Sequence, residues 1–503
     1  MLRSAVLTDV FLAGCLALVF GCSSSGGGDT GTGSEPLADG AQEVDGDGSQ
    51  MMLATSSGDP GAAGNGPGGS QTSGGADPQS SAGAPPPAGM DSALVAMASN
   101  GVGADVEDGK VLPIVFVHGF AGSAQQYQSQ AMRWEQNGYP QDLIRAFDHD
   151  GAGLAIAEYA DGVDAFIDQM LTDFPEYDQV YLIGHSRGTR VSNTYLMDEA
   201  RRAKVAKYIS LDGAPCPMTV ACLAPTQKLL PGQAHVEVAT SAESFAMQYE
   251  FIMGAPPATM EITKQDGPVT LSGRAVLFPQ NVGGEGVLEF WEIDSQTGER
   301  VTETPLASFQ IDDSGAFGPV TVDPDKLYEM RLYRPDLDTE QHVYTQRTPR
   351  DSSLVRILSQ DPETSTSRSN SNLGPGHAML IAMRMREWYE TDVLEIGTSG
   401  EAGTAEPVNV ITDAVGRGNI ALHLHDAAAS PGDTSLGELP YFPDQPFQTG
   451  LDVYMPAADP PNGTITVTNY PRGDMDRPQT LVFPNWSSDR HSISVMFSDY
   501  AHD

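Results

Sequence analysis

The sequence predicts an α/β domain built on a parallel sheet, followed by β-rich sandwich domains and preceded by a disordered N-terminal tether. Between residues 111 and 213, apolar runs of strand length alternate with stretches of helical periodicity, which is typical of a parallel sheet covered on both faces. After Gly254 the pattern changes to short strands between turns. Residues 23–103 consist mainly of glycine, serine, alanine, proline, aspartate and threonine, and such a segment cannot bury a core.

Residues 1–21 have the features of an export signal. They contain one basic residue, Arg3, and an apolar run that is too short to span a bilayer as a helix. The run ends in "VFGC", which resembles a bacterial lipobox. This resemblance implies that Cys22 is lipidated and anchors the mature chain to the outer membrane of the cell envelope. The alternative is an ordinary cleaved signal, an incidental cysteine and an extracellular protein.

Residues 22–103 form the predicted tether, whose root-mean-square reach is about 50 Å. The formal net charge of the chain is −40, with 27 Lys+Arg against 67 Asp+Glu. This charge argues against nucleic acid as a partner, since phosphate binding requires clustered positive charge. It is typical of a protein that must stay soluble in a salty or extracellular setting.

Residues 104–256 are predicted to form the α/β domain. The strands are expected in "VLPIVFVHGF", "LIRAFDHD", "QVYLIG" and "VAKYISLDG". Helices are expected in "SAQQYQSQAMRWEQNG", in "DGVDAFIDQMLTDF" and from about Arg187 to Arg202. The second helix carries an apolar stripe that predicts a buried face, formed by Val163, Phe166, Ile167, Met170, Leu171 and Phe174.

Two β-rich regions are expected to follow. Residues 257–345 predict a small antiparallel sandwich, with strands such as "VTLSGRAVLFPQ" and "GVLEFWEID". Residues 346–503 predict a second β-rich region that contains one Met-rich helix, "HAMLIAMRMREWYE". This helix either packs in the core of the β region or shelters a flexible apolar ligand, to which methionine side chains adapt well.

Ser186 is the candidate nucleophile. It lies in Gly184-His185-Ser186-Arg187-Gly188, between an apolar strand and a predicted helix. A bare Gly-x-Ser-x-Gly pattern is weak evidence in a chain with 54 glycines. The strand–turn–helix setting is much more specific, because it projects the serine at the carboxyl end of the sheet.

A serine hydroxyl needs a base, and that base needs an orienting acid. In enzymes whose serine occupies such a turn, the acid and the histidine follow it along the chain in that order. Asp212 ends the next strand and His235 follows it, so these two are the candidate acid and base. The alternatives are a turn-forming role for Asp212 and a surface position for His235. We expect His377, His423, His425 and His491 to be mainly structural.

The oxyanion that develops during acyl transfer requires fixed hydrogen-bond donors. We expect them to be the backbone N–H groups of Arg187, directly after the nucleophile, and of Phe120, directly after His118-Gly119. Cys216 and Cys222 are expected to form a disulfide, since an exported chain with two remaining thiols favours pairing. Metal binding by these cysteines is the lesser alternative, and no metal site is predicted.

The segments "PIVFVHGFAGSAQQYQSQAMRWEQNGYP", "YLIGHSRGT" and "ISLDGAP" resemble α/β-hydrolase lipases, in particular the archaeal long-chain lipase type with a C-terminal β domain. The likeness covers residues 110 to about 340. It implies an α/β-hydrolase fold and a triad of Ser186, Asp212 and His235. It also implies hydrolysis of carboxylic esters of medium- to long-chain fatty acids without a cofactor.

Two other functions remain open from the sequence. One is a non-catalytic surface binding lipoprotein that uses a hydrolase fold. The other keeps the serine chemistry but acts on another polymer, such as a polyester or a peptide. A complete triad with both oxyanion donors favours the esterase, whose expected partners are a lipid or ester substrate and the outer membrane.

Overall fold

The structure is a computed structural model that describes residues 111–360, 371–413, 415, 418–442 and 445–502. The predicted signal peptide, Cys22 and the tether lie outside the described residues, so they stay predictions. The chain divides into two units, residues 1–84 and 85–503, and all described residues belong to the second unit. Within the described residues, no helix has both the length and the apolar character needed to cross a membrane.

The first domain is the predicted parallel sheet with helices. Its strands are β1 Ile114–Val117, β2 Ile144–Phe147, β3 Val180–His185, β4 Val205–Leu211 and β5 Ala221–Leu223. Its helices are α1 Gln128–Gln136, α2 Ile156–Asp173, α3 Arg187–Met197, α4 Glu199–Arg202, α5 Glu237–Thr240 and α6 Ala242–Met253. The strands are all parallel, in the order β2-β1-β3-β4-β5. The first four were predicted, whereas β5 was not.

Apolar side chains cover both faces of this sheet. In β1, Ile114 and Phe116 join one core cluster, while Val115 and Val117 join the cluster on the opposite face. Successive side chains of a strand point to opposite faces, so a strand buried on both faces must be continuously apolar. Each fully buried side chain of this kind contributes about 1.5–3 kcal/mol to folding. The continuous run "IVFV" is therefore explained by burial on both faces.

Asp198 breaks the predicted helix from Arg187 to Arg202 into α3 and α4. Its backbone is extended, and its carboxylate accepts hydrogen bonds from the N–H groups of Ala200 and Arg201. An aspartate that satisfies the free N–H groups at a helix start is a strong N-cap. The chain therefore starts a new helix at Glu199 instead of continuing the old one.

After α6, the described residues form three further sheets. Its strands are β6 Val269–Leu277, β7 Val282–Gly283, β8 Gly286–Ile293, β9 Ala307–Ile311, β10 Ala316–Val322, β11 Leu327–Arg334, β12 Thr339–Thr345, β13 Ser352–Ser359, β14 Met379–Met383, β15 Val393–Gly400, β16 Ala405–Asn409, β17 Ala421–His425, β18 Gln448–Asp452, β19 Gly463–Tyr470, β20 Gln479–Pro484 and β21 His491–Met496. The largest sheet has the order β18-β17-β14-β21-β12-β11-β8-β9.

This eight-stranded sheet is shared by two sandwiches. Side chains from β8, β11 and β12 pack against the sheet β10-β6-β13, with Leu288, Phe290 and Leu271 in the core between them. Side chains from β14, β17, β18 and β21 pack against the sheet β16-β15-β19-β20, with Leu422 and Ile465 in that core. The parallel pairing of β12 with β21 joins the two halves. The β-rich regions predicted as 257–345 and 346–503 are thus continuous through one sheet.

The Met-rich segment is not the predicted helix. Met379–Met383 forms β14, which pairs with β17 on one side and β21 on the other. A short apolar run has the same composition in a buried strand as in a buried helix, so periodicity alone cannot distinguish them. The two neighbouring strands decide the outcome here, because they satisfy the backbone of β14 from both sides.

Candidate active site

Ser186 lies at the tight turn between β3 and α3. Its backbone has φ 52° and ψ −122°, a strained conformation for a residue other than glycine. Gly188 leaves the room that the turn requires, because a Cβ atom there would lie 2.2 Å from the carbonyl oxygen of Val117. The strained turn directs the Ser186 hydroxyl out of the carboxyl end of the sheet.

Asp212 and His235 form the hydrogen-bonded pair that the chain order predicts. Asp212 follows β4, and its Oδ2 lies 2.6 Å from the Nδ1 of His235. Burial opposes ionisation of Asp212, but hydrogen bonds from His235 and the backbone of Gln227 outweigh it and lower the pKa of Asp212. A carboxylate held on Nδ1 leaves Nε2 of His235 as the free proton acceptor.

Ser186 and His235 line the same cavity, which is open to solvent on one side. Most of its wall is apolar, and it includes Phe120, Val236, Phe278, Leu358, Met383, Met385, Ile420 and Phe447. Met383 and Met385 come from the Met-rich segment, so that segment contributes to the cavity wall although it is not a helix. Among the described residues of this wall, the titratable side chains are His185 and His235.

Both predicted oxyanion donors lie beside the nucleophile. Arg187 is the first residue of α3, where a backbone N–H has no acceptor within the helix. Phe120 lines the cavity and follows Gly119, at which a Cβ atom would lie 2.9 Å from the Cβ of Ser186. The Arg187 side chain is buried and its guanidinium lies 5.2 Å from the centre of the Phe120 ring. The two donor residues are therefore in contact through their side chains.

The β6–β7 connection supports the loop that carries Phe120. Asn281 is buried there, and its Nδ2 donates to the carbonyl oxygens of Gly122 and His149 over 2.8 and 2.9 Å. His118 stacks on His149 and its Nε2 accepts from the His149 N–H. Burial and the neighbouring His149 lower the pKa of His118 to about 3, so both its nitrogens act as those of a neutral ring. No local pattern in the sequence marks Asn281 as a residue of this site.

His185 fixes the loop that carries the candidate base. Its Nε2 donates to the carbonyl oxygen of His235 over 3.0 Å, and its Nδ1 accepts from Gln126 over 2.7 Å. Burial and the neighbouring His235 lower the pKa of His185 to about 3, which keeps the ring neutral. His185 is therefore a positioning residue for His235.

Glu387 holds the other side of the same loop. Its two carboxylate oxygens accept the backbone N–H groups of Val236 and Glu237, the residues directly after His235. Glu387 is fully buried and lies just after the Met-rich strand, about 150 positions along the chain from its partners. Burial raises the pKa of Glu387 above its ordinary value.

Glu237 is committed to a different network. It forms ion pairs with Arg386 at 3.4 Å and Arg472 at 3.1 Å, and it accepts the hydroxyl of Tyr389. Arg472 also pairs with the buried Asp392. Glu237 is thus occupied by structural contacts and does not compete with Asp212 for His235.

Glu387→Gln is expected to lower kcat/KM by about tenfold to a hundredfold, because an amide can accept only one of the two N–H groups and repels the other. The measurement is steady-state hydrolysis of an activated ester, together with the melting temperature. The exposed Glu401→Gln carries the same chemical change in a surface turn and should stay within twofold of the parent. Unchanged kcat/KM in a folded Glu387→Gln protein would contradict the positioning role.

The loop between acid and base is short and cross-linked. Cys216 and Cys222 form a disulfide with Cα atoms 5.8 Å apart, and Cys222 lies in β5. The unpredicted fifth strand pairs with β4, which ends beside Asp212. The cross-link therefore ties the segment after Asp212 to the edge of the sheet.

Three family models match consecutive parts of the chain. Residues 111–229 match the family described as serine aminopeptidase, S33. Residues 267–362 match the lipase C-terminal domain, and residues 367–501 match a further family described as a C-terminal domain. No curated protein matches the chain at a significant level.

Several solved structures are similar to limited parts of the chain. A gene product of Listeria innocua is 12% identical, with 30% of this chain and 97% of that chain covered and a TM-score of 0.24. An extracellular α/β-hydrolase from a Paenibacillus species is 20% identical. The similarity covers 28% of this chain and 52% of the Paenibacillus chain, with a TM-score of 0.18. A lipase from Bacillus licheniformis is 18% identical. The similarity covers 34% of this chain and 68% of the lipase chain, with a TM-score of 0.18. This chain thus spans about half the length of the Paenibacillus hydrolase.

Proposed function

We propose that this chain, a hydrolase with an α/β-hydrolase fold and a lipase-type C-terminal domain, is a serine esterase acting on carboxylic esters of medium- to long-chain fatty acids. The observation that carries the proposal is the joint geometry of three residues. Ser186 lies on a strained turn and shares a cavity with His235, whose Nδ1 is 2.6 Å from Asp212.

In the proposed reaction, Nε2 of His235 takes the proton of Ser186 as its oxygen attacks the ester carbonyl. Asp212 holds the imidazole in the required tautomer and stabilises its protonated form. The backbone N–H groups of Phe120 and Arg187 stabilise the negative charge on the carbonyl oxygen. The proton then passes to the leaving alcohol, and water repeats the cycle on the acyl-enzyme to release the acid.

The cavity favours an acyl chain over a charged substrate. Its wall is mainly apolar, and Met383 and Met385 provide flexible side chains that adapt to an alkyl chain. One matched family is described as a serine aminopeptidase. A substrate with a free amino terminus would require a carboxylate near the scissile bond, and the described residues of this cavity wall include no aspartate or glutamate. Ester hydrolysis is therefore the better-supported activity.

A panel of p-nitrophenyl esters of rising acyl length tests this proposal, with an aminoacyl p-nitroanilide as the comparison substrate. We expect ester turnover without added cofactor and kcat/KM that rises from acetate towards medium and long chains. We also expect kcat/KM for the anilide to be at least a hundredfold lower. Faster cleavage of the anilide, or no ester turnover by folded protein, would contradict the proposed function.

A further inference from the structure

We infer that Glu340, His342 and His491 form a binding site for a divalent transition-metal ion of the zinc class, between β12 and β21. From the sequence we predicted no metal site, and we expected His491 to be mainly structural. None of these three residues is among those that line the Ser186 cavity. The inference therefore does not depend on the proposed esterase activity.

The sheet brings the three side chains together. Glu340 and His342 are two residues apart on β12, and residues at this spacing point to the same face of a sheet. His491 begins β21 and is the register partner of Glu340. A local motif could not reveal the site, because about 150 residues separate the two strands.

The distances between the three side chains match a metal site, and Oε2 of Glu340 would have to bind the ion while it also accepts from Nε of Arg331 over 2.6 Å. Nε2 of His342 and Nδ1 of His491 are 3.0 Å apart, and Oε2 of Glu340 is 3.8 Å from the first and 4.0 Å from the second. A point equidistant from these three atoms lies about 2.1 Å from each, which equals the Zn–N and Zn–O distances found in proteins. Two imidazoles and one carboxylate are a common ligand set for zinc, with a fourth position left for water.

The surroundings of His342 prepare it as a ligand. Its Nδ1 donates to Oε1 of Glu329 over 2.6 Å, which leaves Nε2 as the unprotonated nitrogen on the side of His491 and Glu340. A carboxylate behind a metal-bound histidine is the usual arrangement of outer contacts at such sites. Trp486 stacks on the ring at 4.1 Å, and His342 is fully buried, so its orientation is fixed.

His491 carries a second indication. Its Nε2 is buried, and within the described part of the chain it has no hydrogen-bond partner. If Nδ1 binds a metal, the ring proton must move to Nε2, and Oδ2 of Asp459 lies 3.9 Å from that atom. Binding of a metal ion at Nδ1 would therefore turn the unpaired Nε2 into a donor that faces a carboxylate.

The test uses the untagged full-length protein, stripped with EDTA, equilibrated with excess zinc chloride and then desalted. We expect one zinc per chain by mass spectrometry of the metal. We also expect a rise of several degrees in melting temperature, because the ion binds the native sheet and not the unfolded chain. Cobalt should replace zinc and give the visible absorption of a coordinated N/O site.

Two variants locate the site. In His491→Asn, an amide N–H can still donate to His342, so we expect the fold to be retained while the imidazole ligand is lost. Glu340→Gln replaces the anionic ligand with a neutral amide. Both should lose the zinc and the thermal shift, whereas His377→Gln, a buried histidine of the same β region, should keep them. Less than about a fifth of an equivalent of zinc in the folded parent, or full zinc content in both variants, would overturn the inference.

Discussion

Ser186→Ala is expected to lower ester turnover by about 10⁴- to 10⁶-fold and to abolish labelling by a fluorophosphonate probe. The loss should be this large because Ser186 would form the acyl-enzyme bond in the proposed mechanism, and no other described side chain of the cavity occupies the strained turn at the start of α3. The residual rate would come from the oxyanion donors and from substrate binding. Substrate hydrolysis and probe labelling should be measured on the same protein preparation.

Ser295→Ala is the matched control for this experiment, since Ser295 lies in an exposed turn after β8. It should label and turn over like the parent. Continued labelling of Ser186→Ala would show that the probe reacts elsewhere, and the nucleophile assignment would then be abandoned. An unchanged melting temperature for Ser186→Ala would establish that the loss is chemical.

Asp212→Asn is expected to lower kcat by about 10⁴-fold with little change in KM, by analogy with triads in other serine hydrolases. The amide would present its N–H₂ or its oxygen to Nδ1 of His235, and in the first case the ring would hold its proton on the wrong nitrogen. Gln227 donates to the Asp212 carboxylate from its backbone N–H and its side chain, each over 3.2 Å. The backbone N–H reaches Oδ1 and would favour the amide oxygen there, which turns the N–H₂ towards His235. The side-chain donor reaches Oδ2, the oxygen beside His235, and would have to rotate away to accommodate the N–H₂.

The control for this change is Asp266→Asn, in an exposed segment before β6. Activity of Asp212→Asn within about threefold of the parent would place the orienting acid elsewhere. The neighbouring carboxylates are poor candidates for the orienting acid. Glu237 is paired with Arg472 and Arg386, and Glu243 accepts a hydrogen bond from Gln233.

The parts of the structure that could be predicted are those determined by local patterns. The four predicted strands of the first domain are short segments rich in apolar residues, and the serine turn is a short motif between a strand and a helix. Asp212 and His235 could be named because their chain order and strand ends restrict the choice. The structure places these two residues in contact as expected.

The parts that could not be predicted depend on contacts between distant segments. Glu387 and Asn281 reach the active-site loops from strands or connections more than 130 residues away in sequence. No periodicity marks such residues, because each is a single polar side chain in an otherwise apolar or turn-like stretch. The prediction of a helix for the Met-rich segment was wrong for the same reason, because its conformation depends on pairing with two strands that are distant in sequence.

The carboxylate of Glu387 on the His235 loop has a consequence for how such proteins can diversify. A hydrolase domain that depends on a buried acid from its C-terminal partner cannot be recombined freely with other modules. Truncation or a frameshift after residue 387 would leave the candidate nucleophile and base encoded, yet it would deprive β14 of its partner strands β17 and β21. The proposed activity is thus expected to require the whole chain. We expect the α/β domain and the C-terminal β region to be inherited together.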